Sequence, residues 1–213
     1  MNYSALIVAG GQGLRMGLGY NKVFFPLPSG QTVLDTTLNI FLRDENCTQI
    51  VIVTNQNDLY KIVATHEAGR IVNVGGGPTR QDSVYNGLMA TKEEVVLIHD
   101  AARPWLSQEC INDLLKSMES EEAAILGVKV KDTIKEVEDG YIVKTVDRAK
   151  LMHAQTPQAF KTKTILKAHQ LATQHDYHGT DDAQIIEHFN VCKIRVVEGS
   201  YANIKITTLD DVK

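Results

Sequence analysis

The sequence predicts an α/β fold with a mostly parallel twisted sheet, helices on both faces and a β-hairpin arm. Three observations carry this expectation. Short β-branched runs bounded by turn residues recur at 3–9, 49–54, 94–98 and 123–128, as buried strands do. Segments of helical period lie between them: Val33, Leu34, Thr37, Leu38 and Phe41 share one face, as do Val84, Leu88 and Thr91, and Ile111, Leu114, Leu115 and Met118. Such strand–helix–strand alternation implies parallel strands. The pattern then breaks at Asp132, where two alternating runs flank Glu138-Asp139-Gly140, which reads as a hairpin. A lone hairpin is marginal in water, so this arm is expected to pack on something, a second subunit being one choice.

Helical patterns resume near Thr162 and Thr180, and two last strands are expected at 192–197 and 202–207. The 213 residues suit a single domain, 1–213, with its arm at about 131–148. A net charge of −4 argues against a broad nucleic-acid surface. No apolar run nears the ~20 residues that span a bilayer, and no leader pattern precedes the first strand, so a cytoplasmic location is expected. Cys47, Cys110 and Cys192 form no Cys-x-x-Cys pair; three reduced thiols are expected rather than a zinc knuckle or disulfide framework. His169, His175, Asp176, His178 and Asp182 fit no zinc-ligand spacing and read as solvated surface.

In a sheet of this kind ligands bind outside the carboxyl ends of the strands, which puts 9–22, 75–83 and 100–104 on the functional edge. The first strand runs into Ala9-Gly10-Gly11-Gln12-Gly13-Leu14-Arg15-Met16-Gly17, with Lys22 beyond. Glycines admit a phosphate or base close to main-chain N–H groups, and Arg15 and Lys22 can hold phosphate charge. The stretch is not a Walker A loop, and Gly17 falls one residue late for the dinucleotide fingerprint. That disfavours an NAD-dependent oxidoreductase. In Gly75-Gly76-Gly77-Pro78-Thr79-Arg80-Gln81-Asp82-Ser83 the backbone and the Ser83 hydroxyl can form a flat base slot; otherwise the stretch is a capped helix entry with Arg80 solvated. In His99-Asp100-Ala101-Ala102-Arg103-Pro104 a buried strand delivers Asp100 to the edge, to meet substrate hydroxyls or a metal, or to pair with Arg103. His99 reads as a core histidine.

These stretches together resemble the 2-C-methyl-D-erythritol 4-phosphate cytidylyltransferases of the non-mevalonate isoprenoid pathway. The resemblance continues through Lys131-Asp132-Thr133-Ile134-Lys135, Thr145-Val146-Asp147-Arg148, Thr156-Pro157-Gln158-Ala159-Phe160, Thr180-Asp181-Asp182-Ala183 and Asn203-Ile204-Lys205-Ile206-Thr207. It implies a Rossmann-like nucleotidyltransferase fold, a CTP-dependent enzyme, Mg²⁺ or another divalent cation, and a homodimer interlocked by the arm. It also implies roles. Arg15, Lys22 and Lys205 would be catalytic. Ala9, Gly10, Gly11, Gly13, Gly77, Ser83, Asp100 and Ala101 would bind the nucleotide, with Asp100 also able to meet the metal. Arg103, Thr133, Arg148, Thr156 and Thr180 would bind a sugar or polyol phosphate.

Taken without the resemblance, Thr180 is a helix N-cap, Lys205 the solvated face of a strand, and Arg148 a partner of Asp147 or Glu138. The chain departs from the family pattern at Asn21, where proline is common, which predicts a more mobile loop, and at Pro78, where an acid is usual. The ribitol 5-phosphate cytidylyltransferases of teichoic acid synthesis are the nearest alternative. His-Asp-Ala-Ala-Arg-Pro and Thr-Val-Asp-Arg favour methylerythritol phosphate. A non-catalytic nucleotide-binding protein is the alternative of another class, and the joint presence of Arg15, Lys22 and Lys205 weighs against it.

Overall fold

The structure is a computed structural model that describes residues 1–11, 16–66 and 69–212. Its strands are β1 (Tyr3–Val8), β2 (Cys47–Thr54), β3 (Ile71–Gly75), β4 (Val95–Asp100), β5 (Ala123–Lys129), β6 (Ile134–Glu138), β7 (Tyr141–Val146), β8 (Met152–Lys161) and β9 (Arg195–Glu198). Its helices are α1 (Val33–Arg43), α2 (Gln56–His66), α3 (Arg80–Leu88), α4 (Gln108–Ser117), α5 (Thr162–Gln174) and α6 (Asp182–His188). The main sheet runs β3-β2-β1-β4-β8-β5-β9, and β6 and β7 form a separate pair. β1 to β4 are mutually parallel, β8 is antiparallel to both neighbours, and β9 is parallel to β5. No helix among the described residues is long and apolar enough to cross a membrane.

Both faces of the sheet are dry because successive side chains point to opposite sides. Ala5, Ile7, Ile50, Ile52 and Leu97 pack with Leu34, Leu38 and Phe41 of α1 and Ile111 and Leu114 of α4. Leu6, Val51, Val53, Val96 and Ile98 pack on the other side with Val84 and Leu88 of α3, Ile165 and Ala168 of α5 and Ile185 and Ile186 of α6. The helices start where side chains satisfy their first N–H groups: Thr32 and Asp35 form a reciprocal capping box on α1, and Thr79 and Asp82 form one on α3.

The sequence expectations place a strand end at Gly75, where β3 stops, but miss β8 and α2 and overextend the C-terminal strands. β8 carries Pro157, which cannot donate to a ladder, and its neighbour β5 shifts register between Ile125 and Gly127 to pass it. β8 nonetheless occupies the middle of the sheet. The expected strand at 202–207 is irregular; Ile206 N donates to Ala102 O at 2.8 Å, and Asn203 N and Ile204 N bond within the segment's own turns. The expected strand at 192–197 is the shorter β9.

Asp139 and Gly140 both have left-handed backbones (φ 48° and 84°), as a two-residue hairpin turn requires. The hairpin exposes four large apolar side chains, Val137, Tyr141, Ile142 and Val143.

Gln158 of β8 is 1% exposed and ties the sheet to α6. Its amide donates to Asp181 Oδ2 at 2.8 Å and its carbonyl accepts from Ala183 N at 3.1 Å. Gln158→Leu keeps the volume and strands both partners, so urea unfolding should show a loss of about 1–3 kcal/mol.

Candidate active site

The parallel register sets Val8 of β1 opposite Asp100 of β4, so the first glycine turn lies beside the end of β4. Ala101 N donates to Val8 O at 3.1 Å and closes that corner. On the other side, Gly76 N donates to Thr54 O at 2.6 Å. A Cβ on Gly76 would lie 2.9 Å from Ser83 Oγ and 3.1 Å from Thr54 O, so any other residue would displace the Ser83 hydroxyl and push on the end of β2. Between these corners is a cleft of about 360 Å³, bordered by Gly10, Gly11 and Lys22 from the first loop and Gly77, Thr79, Arg80 and Ser83 from the second. Asp100, Ala102 and Lys205 complete it.

Asp100 is the electrostatic centre of the cleft. Lys205 Nζ lies 2.7 Å from Oδ2, Arg80 Nη2 3.6 Å from Oδ1 and Arg103 Nε 3.9 Å from Oδ2. Burial alone would raise the carboxyl pKa; Arg80, Lys205 and Arg103 outweigh it and hold it at about 2.

A hydrogen-bond chain fixes the turn that carries Asp100. Asp100 N donates to Thr156 Oγ1 at 3.0 Å, Thr156 Oγ1 meets His99 Nδ1 at 3.1 Å, and His99 Nε2 meets Arg103 O at 3.1 Å. The carbonyl of Arg103 can only accept, so Nε2 carries the ring proton and Nδ1 accepts the threonine hydroxyl. Burial drives the His99 pKa down to about 4, which matches a neutral ring with one donor and one acceptor.

The irregular tail reaches the cleft through side chains. Arg103 Nη1 donates to Asn203 O at 2.7 Å, Asn203 Nδ2 to Thr156 O at 2.9 Å and Gln155 Nε2 to Ser200 O at 2.8 Å. Lys22 Nζ donates to Ile206 O at 2.6 Å, which joins the first loop to the tail. Asn21 does not loosen that loop. Its amide donates to Ala9 O at 2.6 Å and Asp58 Oδ2 at 3.0 Å, and its carbonyl caps the 3₁₀ turn Lys22–Phe24 through Val23 N.

The family model described as 2-C-methyl-D-erythritol 4-phosphate cytidylyltransferase, IspD, matches residues 3–213. The enzyme of that name from Geobacillus kaustophilus is 43% identical, over 100% of this chain and 94% of the relative. The one from Bacillus mycoides is 42% identical, over 99% and 94%. The crystal structure of 4-diphosphocytidyl-2C-methyl-D-erythritol synthase from Anaerococcus prevotii superposes with a TM-score of 0.85 at 34% identity, covering 99% of this chain and 94% of that one. The Francisella tularensis 2-C-methyl-D-erythritol 4-phosphate cytidylyltransferase gives 0.84 at 35% identity, covering 100% and 97%. The chain belongs to this family of cytidylyltransferases.

Within this IspD-family chain, the cleft brings together Gly10, Gly11, Lys22, Gly77, Ser83, Asp100 and Lys205 of the residues expected from the sequence. Gly13 and Arg15 lie outside the described residues. Ala9 and Ala101 do not line the cleft: both are fully buried, with Ala9 N bonded to Val53 O and Ala101 O to Thr37 Oγ1. Ala102 borders it instead. Ser83 is less free than a base-reading hydroxyl, since Oγ accepts from Gly77 N at 3.1 Å and donates to Thr79 O at 2.8 Å. Thr156 is buried and spends its hydroxyl on His99 and Asp100. Thr180 is exposed, and the N-cap of α6 is Asp181 one residue later. Thr133 and Arg148 are exposed on the arm, where Arg148 Nη1 donates to Lys131 O rather than to Asp147 or Glu138. Lys205 sits on the irregular tail, paired with Asp100, and not on a solvated strand face.

Two residues read from the sequence as solvated are buried partners. His169 and Asp182 are each 1% exposed in their side chains, with His169 Nε2 3.4 Å from Asp182 Oδ1, and Arg80 Nη2 lies 2.9 Å from Asp182 Oδ2. The signal for Arg80 was present: the box formed by Thr79 and Asp82 makes it the first helical residue at the carboxyl edge of the sheet. His175, Asp176 and His178 are exposed as expected. Among the described residues no three His, Cys, Asp or Glu converge on a metal position. All three cysteines are free thiols, two of them buried.

The folded carboxyl pKa of Asp100 lies below its ordinary 3.8, so its stabilisation is complete above about pH 4 and lost as pH falls through about 2. Wild type should therefore exceed Asp100→Asn in unfolding free energy by about 2 kcal/mol at pH 7. That gap should shrink between pH 4 and pH 2 in urea titrations at stepped pH.

Proposed function

We propose that the chain transfers CMP from CTP to 2-C-methyl-D-erythritol 4-phosphate, giving 4-diphosphocytidyl-2-C-methyl-D-erythritol and pyrophosphate for isoprenoid precursor synthesis. The observation that carries this reading is the charge of the cleft. Lys22 and Lys205 face it as the phosphate-binding cations against one carboxylate, Asp100, among the described residues, while Arg80 at its border is engaged by Asp100 and Asp182. That balance, beside glycine main-chain groups, suits a triphosphate and a phosphomonoester drawn together. Family membership supports CTP and methylerythritol phosphate as the pair.

An acceptor phosphate oxygen attacks the α-phosphorus of CTP in line. The new P–O bond forms as the α–β bridging bond breaks, and pyrophosphate carries the electron pair away. The chain needs no nucleophile of its own because a phosphate dianion already attacks. Its work is to align the two phosphates and to neutralise the oxygens of the pentacoordinate transition state through Lys22, Lys205 and Arg15. The N–H groups of Gly10 and Gly11 meet the nucleotide, and Gly77 and the remaining lone pair of Ser83 face the base. Asp100 and phosphate oxygens are a donor set that fits Mg²⁺, which takes one or two carboxylates and completes its shell from phosphates and water. Asp100 Oδ1 is the freer oxygen for this, its ionic neighbour being 3.6 Å away. When bound, the cation neutralises phosphate charge. Arg103 and Thr180 act on the acceptor side, and Thr156 contributes by holding the turn that carries Asp100.

The working form in this reading is a cytoplasmic homodimer, with the apolar hairpin covered by a second copy and Thr133 and Arg148 reaching the partner's acceptor site. Tyr141 and Ile142 are 79% and 64% exposed, and a face of that kind favours burial. Sedimentation of the Tyr141→Glu, Ile142→Glu double variant should give a monomer where the wild type gives a dimer.

Pyrophosphate release should appear with CTP, Mg²⁺ and methylerythritol phosphate and be absent with ribitol phosphate. Release with ribitol phosphate alone, or with neither, would reject the reading. Lys22→Ala should keep the fold by circular dichroism and lose about 10²–10³-fold in turnover; near wild-type turnover would remove Lys22 from the mechanism.

A further inference from the structure

Arg80 stands between two carboxylates on different elements, Asp100 at the cleft and Asp182 buried behind it. Its Nη2 lies 2.9 Å from Asp182 Oδ2 and 3.6 Å from Asp100 Oδ1. Asp100 ends β4 beside the nucleotide loops, whereas Asp182 opens α6 directly after the segment that carries Thr180. The next residue of α3 grips the same segment. Gln81 Nε2 donates to Tyr177 O at 3.0 Å, and Gln81 Oε1 accepts from Gly179 N at 3.0 Å. Two successive side chains of one helical turn thus fasten residues 177–182.

The Asp182 side chain is a costly thing to bury. It is fully inaccessible, and neither oxygen has a well-aligned hydrogen bond. Its compensation is the nearness of the Arg80 guanidinium and the His169 ring, and these hold its ionised form below the usual carboxylate range against the opposing effect of burial. A buried charge with imperfect hydrogen bonding survives only where its partner is fixed. Arg80 is fixed in turn by Asp100 and by its place at the first position of a capped helix. Lysine, a compact point charge, cannot reproduce a planar group shared by two carboxylates.

We propose that Arg80 is a positioning residue that locks the acceptor-side segment 177–182 to the nucleotide-side helix α3 and to Asp100, so that the two halves of the cleft keep one spacing. The assignment of halves rests on the function proposed above; the lock itself does not. Arg80 acts through Asp182 and Asp100 rather than on the reacting atoms. Its loss moves the acceptor out of line while the nucleotide pocket keeps its shape.

The test compares wild type with Arg80→Lys, Asp182→Asn and the double variant. Amide hydrogen exchange without substrates should be about tenfold or more faster in 177–182 for each variant and unchanged in the hairpin β6–β7. The Kd of CTP, by calorimetry without acceptor, should stay within about threefold, while the KM of methylerythritol phosphate rises about tenfold or more. The double variant should be no worse than the poorer single variant, since both substitutions break one contact. Unchanged exchange in 177–182 would overturn the proposal. So would a CTP Kd weakened about tenfold with the acceptor KM unmoved, which is the signature of a direct nucleotide ligand. If Arg80→Lys does not fold, Asp182→Asn keeps the guanidinium and decides the question alone. A wild-type protein that turns over no methylerythritol phosphate would remove the proposed function, and the exchange measurement would still accept or reject the lock.

Discussion

A buried carboxylate at the end of β4 must be compensated, and the cleft is arranged around that requirement. Asp100 draws cations from its own turn and from two distant parts of the chain: Arg103 beside it, Arg80 from α3 and Lys205 from the tail. An isolated carboxylate would protonate at this degree of burial; instead the three cations hold it ionised. In exchange, Asp100 gives those cations a fixed direction. Without it, Lys205 would lose its partner at 2.7 Å and turn into solvent, and a phosphate arriving in the cleft would have to gather it again. The electrostatic preorganisation of the site therefore depends on a residue of the opposite sign to its catalytic cations.

This dependence explains why an irregular tail holds its place. Residues 199–207 contribute no strand, yet Asn203 is fully buried and Lys205 is anchored. Their bonds run to side chains and turn carbonyls: Arg103 to Asn203 O, Asn203 to Thr156 O, Gln155 to Ser200 O, Lys22 to Ile206 O. The alternation of apolar and polar residues at 202–207 read as a strand because alternation reports which side chains are buried. It does not report which groups the backbone bonds. Ile206 is buried as a strand residue would be, in a small cluster with Met16, Leu27 and Val33 and away from the sheet.

The same distinction separates what the sequence disclosed from what it withheld. β1, β2, β4 and β5 are β-branched and packed on both faces, so burial and ladder coincide and both were legible. The Asp139-Gly140 turn was legible because left-handed backbone selects those residue types. β8 was hidden: Pro157 and a row of polar side chains argue against a central strand, and the polar groups are satisfied across elements. Gln158 binds α6, Thr156 binds β4, and Gln155 binds the tail. Lys22, Lys205 and Asp100 were marked as chemistry by position and type. The burial of Asp182 and His169 was not marked, because polar residues after a helix cap look solvated until the helix is seen to dock.

His99 shows how such polar burial is made inexpensive. A ring nitrogen that donates and one that accepts are both needed to join Arg103 O to the Thr156 hydroxyl. The hydroxyl in turn uses its own proton on His99 and its lone pair on Asp100 N. The ring and the hydroxyl each give once and receive once between a donor, Asp100 N, and an acceptor, Arg103 O, so the chain has a single proton arrangement. A protonated ring would present two donors, and the threonine hydroxyl would then lose Nδ1 as the acceptor for its own proton. Neutral histidine is thus the side chain that reconciles the carbonyl of Arg103 with the amide of Asp100, and it does so directly behind the carboxylate that faces the cleft. Asparagine could match one end of that span and phenylalanine neither, so the geometry of the Asp100–Arg103 turn is set as much by the tautomer of a buried ring as by the salt bridge in front of it.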